Sequence, residues 1–189
     1  LTPELATSWT WNDDQTRLTL RLRGGVKWHD GKPFTSADVK CTWDTVTGRR
    51  NAGWRKSPRR GWYSNLQEVV TNGEHEVTFV LGRPQPSFMS ILASGFSAVY
   101  PCHVDGRVMR QAPIGTGPFR MAEFRPNASI RLERNPDYFK ESQKGQPKVQ
   151  KIEIRVIPDR QTQLAELMSG GMDFLMHVPP DQAEQIKSV

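Results

Sequence analysis

Residues Gly25–Val39 read GVKWHDGKPFTSADV, and three readings of this stretch compete. A phosphate-binding loop requires G-x-x-x-x-G-K followed by Ser or Thr, so that backbone amides cup the phosphates and a hydroxyl reaches the metal. Here five residues separate Gly25 from Gly31, and Lys32 is followed by Pro33, which offers neither an N–H nor a hydroxyl. A catalytic pair at His29–Asp30 fails on geometry, because neighbouring residues of an extended segment point to opposite faces. What remains is a structural turn. Asp30–Gly31 makes the reversal, Trp28 and Phe34 pack it onto the body of the protein, and Thr35 starts a helix with Asp38 at the third helical position.

Regular patterning continues on both sides of this turn. Val39, Trp43 and Val46 recur at helical spacing to about Thr47. Upstream, Trp9 and Trp11 precede NDDQ, and Leu18, Leu20 and Leu22 then alternate with polar residues, which predicts a hairpin with one buried face. NLQEVV and EVTFVL around Asn72–Gly73 predict a second hairpin. Pro84 and Pro86 open a short helix carrying Phe88, Ile91 and Leu92, with Gly95 at its end. FRMAEF and SIRLER predict a third hairpin turning near Pro126–Asn127. KIEIRVI, a helix carrying Leu164, Leu167 and Met168, and MDFLMHV predict a strand, helix, strand crossover. A further helix is expected to start at Pro179–Pro180–Asp181. Residues 48–64 are rich in Gly, Arg and Ser without periodicity and read as a long surface loop.

The composition narrows the function. The longest apolar stretches, such as Phe88–Leu92, fall far short of the ~20 residues that a membrane-spanning helix needs. The formal charge of +6 and isoelectric point near 9.6 direct attention to nucleic acid. The cations concentrate in one loop, Arg49 to Arg60, flanked by Trp54, Trp62 and Tyr63, an arrangement suited to stacking bases. One basic loop is weaker evidence than a basic face. Gly115–Arg120 (GTGPFR) lacks the third glycine of a dinucleotide fingerprint and precedes a strand instead of a helix. His75, His103 and His177 have no partner at metal-ligand spacing, and no nucleophile, base and electrophile set is present. Cys41 and Cys102 are compatible either with a disulfide or with two buried thiols.

In order along the chain, ELATSWTWNDDQTRLTLRLRGGVKWHDGKPFTSADVKCTWDTV, PQPSFMSIL, APIGTGPFRMAEF, RLERNPDYF and QTQLAELMSGGMDFL resemble the family 5 extracellular solute-binding proteins, the oligopeptide, dipeptide and nickel receptors of ABC importers. The resemblance implies an α/β, type II periplasmic-binding-protein-like lobe with a mixed sheet, hairpins and a βαβ crossover. The piece is expected to be truncated at both ends. Residues 1–34 and 141–189 are expected in the main lobe and about 35–140 in a peripheral hairpin and helix subdomain. It further implies a periplasmic or lipid-anchored receptor, no enzymatic activity, no cofactor and no resident metal. The expected partners are a peptide or other small solute and the transmembrane subunits of a permease, with no nucleic acid. Within this frame Gly115 and Gly117 of PIGTGPF are expected to allow close backbone approach.

The candidate ligand-binding residues are Trp62 and Tyr63, at the end of the basic loop, and Gly95, Phe96, Ser97 and Ala98, a segment that borders the cleft in relatives of this resemblance. Aromatic walls give broad apolar contact, and exposed amides bind an extended peptide through its main chain. Three alternatives are set against the peptide receptor: a nickel or nickel-chelate receptor of the same family, a basic nucleic-acid-binding module using Arg49–Tyr63, and a metal hydrolase.

Overall fold

The computed structural model describes residues 1–50 and 57–178, together with Pro180 and Ala183. Strand β1 (Ala6–Trp11) and strand β2 (Arg17–Leu22) form the first hairpin. The Asn12 carboxamide oxygen sets its turn by accepting from the amides of Thr16 at 3.0 Å and Arg17 at 2.8 Å. Strands β3 (Leu66–Thr71) and β4 (Glu76–Leu81) form the second, and β2 joins β4, so the antiparallel order is β1-β2-β4-β3. The alternation explains the pairing. Leu18 faces Phe79 and Leu20 faces Val77 across the β2–β4 ladder, while Val69 meets Phe79 from β3.

Helix α1 (Ser36–Val46) lies against β3 and β4. It begins at Thr35 with a capping box completed by Asp38 and ends at Thr47, as its 3.6-residue pattern predicts. Trp43 sits edge-on to Phe79 at 5.2 Å between ring centres, and Phe79 in turn meets Phe88 at 5.7 Å. Helix α2 (Phe88–Leu92) supplies Phe88, which is fully buried in this core. Each such apolar side chain contributes roughly 1.5–3 kcal/mol by leaving water.

The Gly25–Val39 stretch folds as the turn that the sequence predicts. Trp28 and Phe34 are buried and meet edge-on at 5.9 Å, Gly31 takes a φ of +85°, and Lys27 and Pro33 form an isolated bridge. Asp38 binds this turn to the rest. Its carboxylate is 5% exposed and accepts from Trp28 Nε1 at 3.2 Å, the Thr35 amide at 3.0 Å and the Cys102 amide at 2.9 Å.

A second antiparallel sheet, order β5-β6-β7, consists of β5 (Phe119–Arg125), β6 (Ser129–Arg134) and β7 (Lys151–Arg155). Two further elements were not anticipated. One is a 3-10 turn at Arg60–Tyr63 inside the basic loop; the other is α3 (Gly106–Gln111), capped by Asp105, whose side chain accepts from the Arg107 amide at 2.7 Å. Helix α4 (Arg160–Met168) follows β7 as predicted.

Two expectations are corrected. Met172–Val178 forms no strand: Phe174 and Met176 are 75% and 82% exposed, and among the described residues no ladder accepts their backbone groups. The βαβ crossover is therefore not closed, and every strand pairing described is antiparallel. In the first sheet β2 and β4 pair directly although Arg23 to His75 separate them in the chain. At Gly115 an added Cβ would meet His29 at an ordinary 3.5 Å and at Gly117 it would meet nothing, so neither glycine is needed for close packing. The helix expected from Pro179–Asp181 lies outside the described residues except for Pro180 and Ala183.

Of the two readings open for the cysteines, the disulfide is the one formed. Cys41 on α1 is bonded to Cys102, across a sequence separation of 61 and a Cα–Cα distance of 5.8 Å. Closing a loop of this length in the unfolded chain stabilises the fold by about 4 kcal/mol in the chain-entropy description. Replacing both cysteines by serine in the intact protein should lower the unfolding free energy by about 2–4 kcal/mol. Asp38→Ala, which strands one buried and two half-buried donors, should cost about 3 kcal/mol or more. Urea midpoints check both; an unchanged midpoint for either variant contradicts the corresponding tie.

Candidate functional site

The two stretches singled out from the sequence meet in space. Trp62, at 44% exposure, and Phe96, at 60%, stand edge-to-face with ring centres 5.9 Å apart. Tyr63, beside Trp62 in the chain, turns the other way. Its ring is 4% exposed and edge-on to Trp43 at 6.2 Å, and its hydroxyl lies 2.7 Å from Ser97 Oγ. The 3-10 turn produces this split, one aromatic to solvent and one to the core. Ser97 Oγ also donates to the Ile91 carbonyl at 2.5 Å, as Ser94 Oγ does at 2.7 Å. Gly95 and Ala98 are exposed.

The 94–102 segment is thus fixed from several sides. Tyr63 and the end of α2 hold Ser97; Thr42 Oγ1 accepts from the Tyr100 amide at 2.9 Å; Asp38 and the disulfide hold Cys102. On one side of the segment lies a concavity of about 240 Å³ bounded by α1, Ser57–Arg59, Tyr63 and Phe96. On the other lies a larger apolar one of about 540 Å³, between the segment and the β1–β2 hairpin. Trp43, Ser97 and Ala98 form part of both walls. Among the described residues, the buried Trp43 Nε1 has no hydrogen-bond partner.

Sequence reasoning missed Arg59. Its guanidinium carbon lies 4.0 Å from the Phe96 ring centre and 5.6 Å from that of Trp62, a cation over aromatic faces. The signal was an arginine three residues before Trp62 in the basic loop, where aromatic interleaving suggested bases. Two other cations of the loop are engaged within the protein: Arg49 with Asp44 and the Leu66 carbonyl, and Arg50 with both disulfide sulfurs. Trp54, Arg55 and Lys56 lie outside the described residues.

His29 and Asp30 diverge, as adjacent extended residues must. Asp30 Oδ2 lies 2.6 Å from His103 Nε2. Burial alone would raise the Asp30 pKa, but hydrogen bonds from His103 and the Lys32 amide, with their charges, hold it below its ordinary value. His29 Nδ1 accepts from the Gly115 amide at 3.1 Å, and Nε2 is 3.1 Å from the Gly117 carbonyl. One nitrogen facing a donor and the other a carbonyl specify the neutral imidazole with its proton on Nε2. His29 is therefore a staple between the turn and the PIGTGPF loop. Among the described residues no cluster of three or more His, Cys, Asp or Glu is placed to hold a metal ion.

All 189 residues match the model of bacterial extracellular solute-binding proteins, family 5 middle. The chain belongs to this family. Its strands and helices superpose on solved type II periplasmic binding proteins. Among family relatives, the oligopeptide-binding protein AppA of Bacillus subtilis is 33% identical, over 82% of this chain and 29% of AppA. The structure of AppA in complex with a nonapeptide superposes with a TM-score of 0.75 at 30% identity, over 89% of this chain and 34% of that one. The glutathione-binding protein GsiB of Escherichia coli K12 is 29% identical over 95% of this chain and 34% of GsiB. NikZ of Campylobacter jejuni, in complex with Ni(L-His), superposes with a TM-score of 0.77 at 25% identity, over 90% of this chain and 34% of NikZ. The chain spans about a third of the length of the curated relatives it matches.

Burial is the largest influence on His29 and lowers its pKa below the usual 6.5. The folded protein thus takes up this proton less readily than the unfolded chain, so the staple's contribution is complete above pH 6.5 and is lost as pH falls below it. The urea midpoint should fall between about pH 7.5 and about pH 5.5, and His29→Gln should flatten that dependence. Equal slopes in the two proteins would remove the staple from the account.

Proposed function

We propose that this chain is part of the extracytoplasmic receptor of an ABC importer, which captures a di- or oligopeptide between two lobes and passes it to a membrane permease. The observation that carries this reading is the Trp62–Phe96 shelf beside the exposed Gly95 and Ala98, at the rim of the two concavities. An aromatic shelf accepts many side chains by area alone, and free main-chain groups accept a peptide's main chain whatever its sequence. Family membership supports the same reading. On it Trp62, Gly95, Phe96 and Ala98 face the solute, while Tyr63 and Ser97 hold the segment in place. Capture proceeds by a shift between open and closed arrangements, and no covalent bond in the solute is made or broken. A periplasmic or other oxidising location fits the Cys41–Cys102 bond, because such bonds persist outside the reducing cytosol.

A nickel-chelate receptor is the second reading, favoured by the likeness to NikZ in complex with Ni(L-His). With no three-ligand cluster among the described residues, the metal would have to arrive already chelated. Isothermal titration of the full-length protein with di- to pentapeptides, glutathione and nickel–histidine separates the two. Peptide binding at micromolar Kd or tighter is expected, with Trp62→Ala and Phe96→Ala each weakening it about tenfold through lost aromatic contact. Binding of the chelate alone would replace the first reading by the second, and heat from none of the three solutes would end both.

A further inference from the structure

The 240 Å³ concavity has a chemical bias that its family membership does not supply. Its walls include Thr42, Thr45, Ser57, Arg59, Phe96 and Ser97, and none of its lining residues is acidic. The surrounding sequence has the same character. From Thr45 through Gln67 there is no Asp or Glu, while that stretch carries Arg49, Arg50, Arg55, Lys56, Arg59 and Arg60; Pro84 through Val104 contains no acid either. Arg49 and Arg50 are engaged with the protein's own groups. Arg59 is positioned differently. Its amide donates to Ser57 Oγ at 3.2 Å, its guanidinium lies over the Phe96 face, and among the described residues it pairs with no carboxylate.

A ring face orients a guanidinium and strips water from one side of it, yet it takes up none of the N–H donors, which lie in the guanidinium plane. A cation held over an aromatic shelf, at the mouth of a hydroxyl-lined hollow without acids, therefore suits an anion of matching shape. We propose that Arg59 is a specificity-determining residue that receives a carboxylate of the bound solute through the planar two-point contact that guanidinium and carboxylate share. This rests on the binding-protein reading above and deepens it, by stating that the solute carries a free carboxylate and that this end of it lies at the Phe96–Trp62 shelf.

The test offers the full-length protein alanine di-, tri- and tetrapeptides in three forms: free acids, C-terminal amides, and amides carrying one glutamate. Binding is read by native mass spectrometry and titration. The wild type should prefer the acids over the plain amides by about ten- to a hundredfold. Arg59→Gln should collapse that ratio toward one, and Arg59→Lys should restore part of it, with thermal melts confirming that both variants are folded. Tight binding of the glutamate amides keeps the proposal and moves the contact to a side-chain carboxylate. Equal binding of acids and amides by the wild type, or an undiminished preference in Arg59→Gln, overturns it while leaving the peptide reading intact. Failure of all three series to bind instead overturns the peptide reading, and this inference with it.

Discussion

A buried carboxylate with no ion-pair partner among the described residues organises this structure. Removing Asp38 from water would be costly if its oxygens were left bare, and three N–H groups from three separate segments meet them instead: the indole of Trp28, the amide of Thr35 and the amide of Cys102. One side chain therefore fixes the start of α1, the depth of the Trp28 indole in the core, and the path of the chain that leads away from the proposed cleft. Each donor is itself buried or half-buried, so the carboxylate and its donors are satisfied together or stranded together.

The same helix also carries Cys41, Thr42 and Trp43, which explains why an irregular, partly exposed stretch such as 94–100 has a defined shape. Most loops owe their conformation to their own turns. This one is fastened to α1 by a covalent bond at Cys102 and by the Thr42 hydroxyl at Tyr100, and to the 3-10 turn through Tyr63 and Ser97. Order in the shelf would cost little in the proposed solute capture, because folding has already fixed it.

Much of this could be read from residue order, and the failures share a cause. The β1–β2 and β3–β4 hairpins and α1 announce themselves through period-two and period-3.6 patterns that depend on local burial. The capping box at Thr35 and Asp38 was legible for the same reason, whereas the two distant partners of Asp38 were not, since nothing local in Trp28 or Cys102 marks them. Met172–Val178 has the composition of a strand, but a strand exists only where a neighbour takes its hydrogen bonds. Trp62 and Tyr63 looked alike in sequence, and only the 3-10 turn, absent from any periodicity, sends one outward and one inward. Arg59 was visible as a cation among aromatics, and what could not be seen was that the ring beneath it comes from Phe96, far along the chain.

The strand order β1-β2-β4-β3 has a consequence for how the molecule is assembled. Both hairpins close over short turns and are quick to form, but β2 must find β4 across everything from Arg23 to His75, and a pairing of such span is entropically slow. Until that seam closes, the apolar flank of α1 has only half a floor to rest on, and Trp43 and Phe79 remain accessible to other chains in the same state. A newly made polypeptide therefore passes its most adhesive moment late, just before the two hairpins lock.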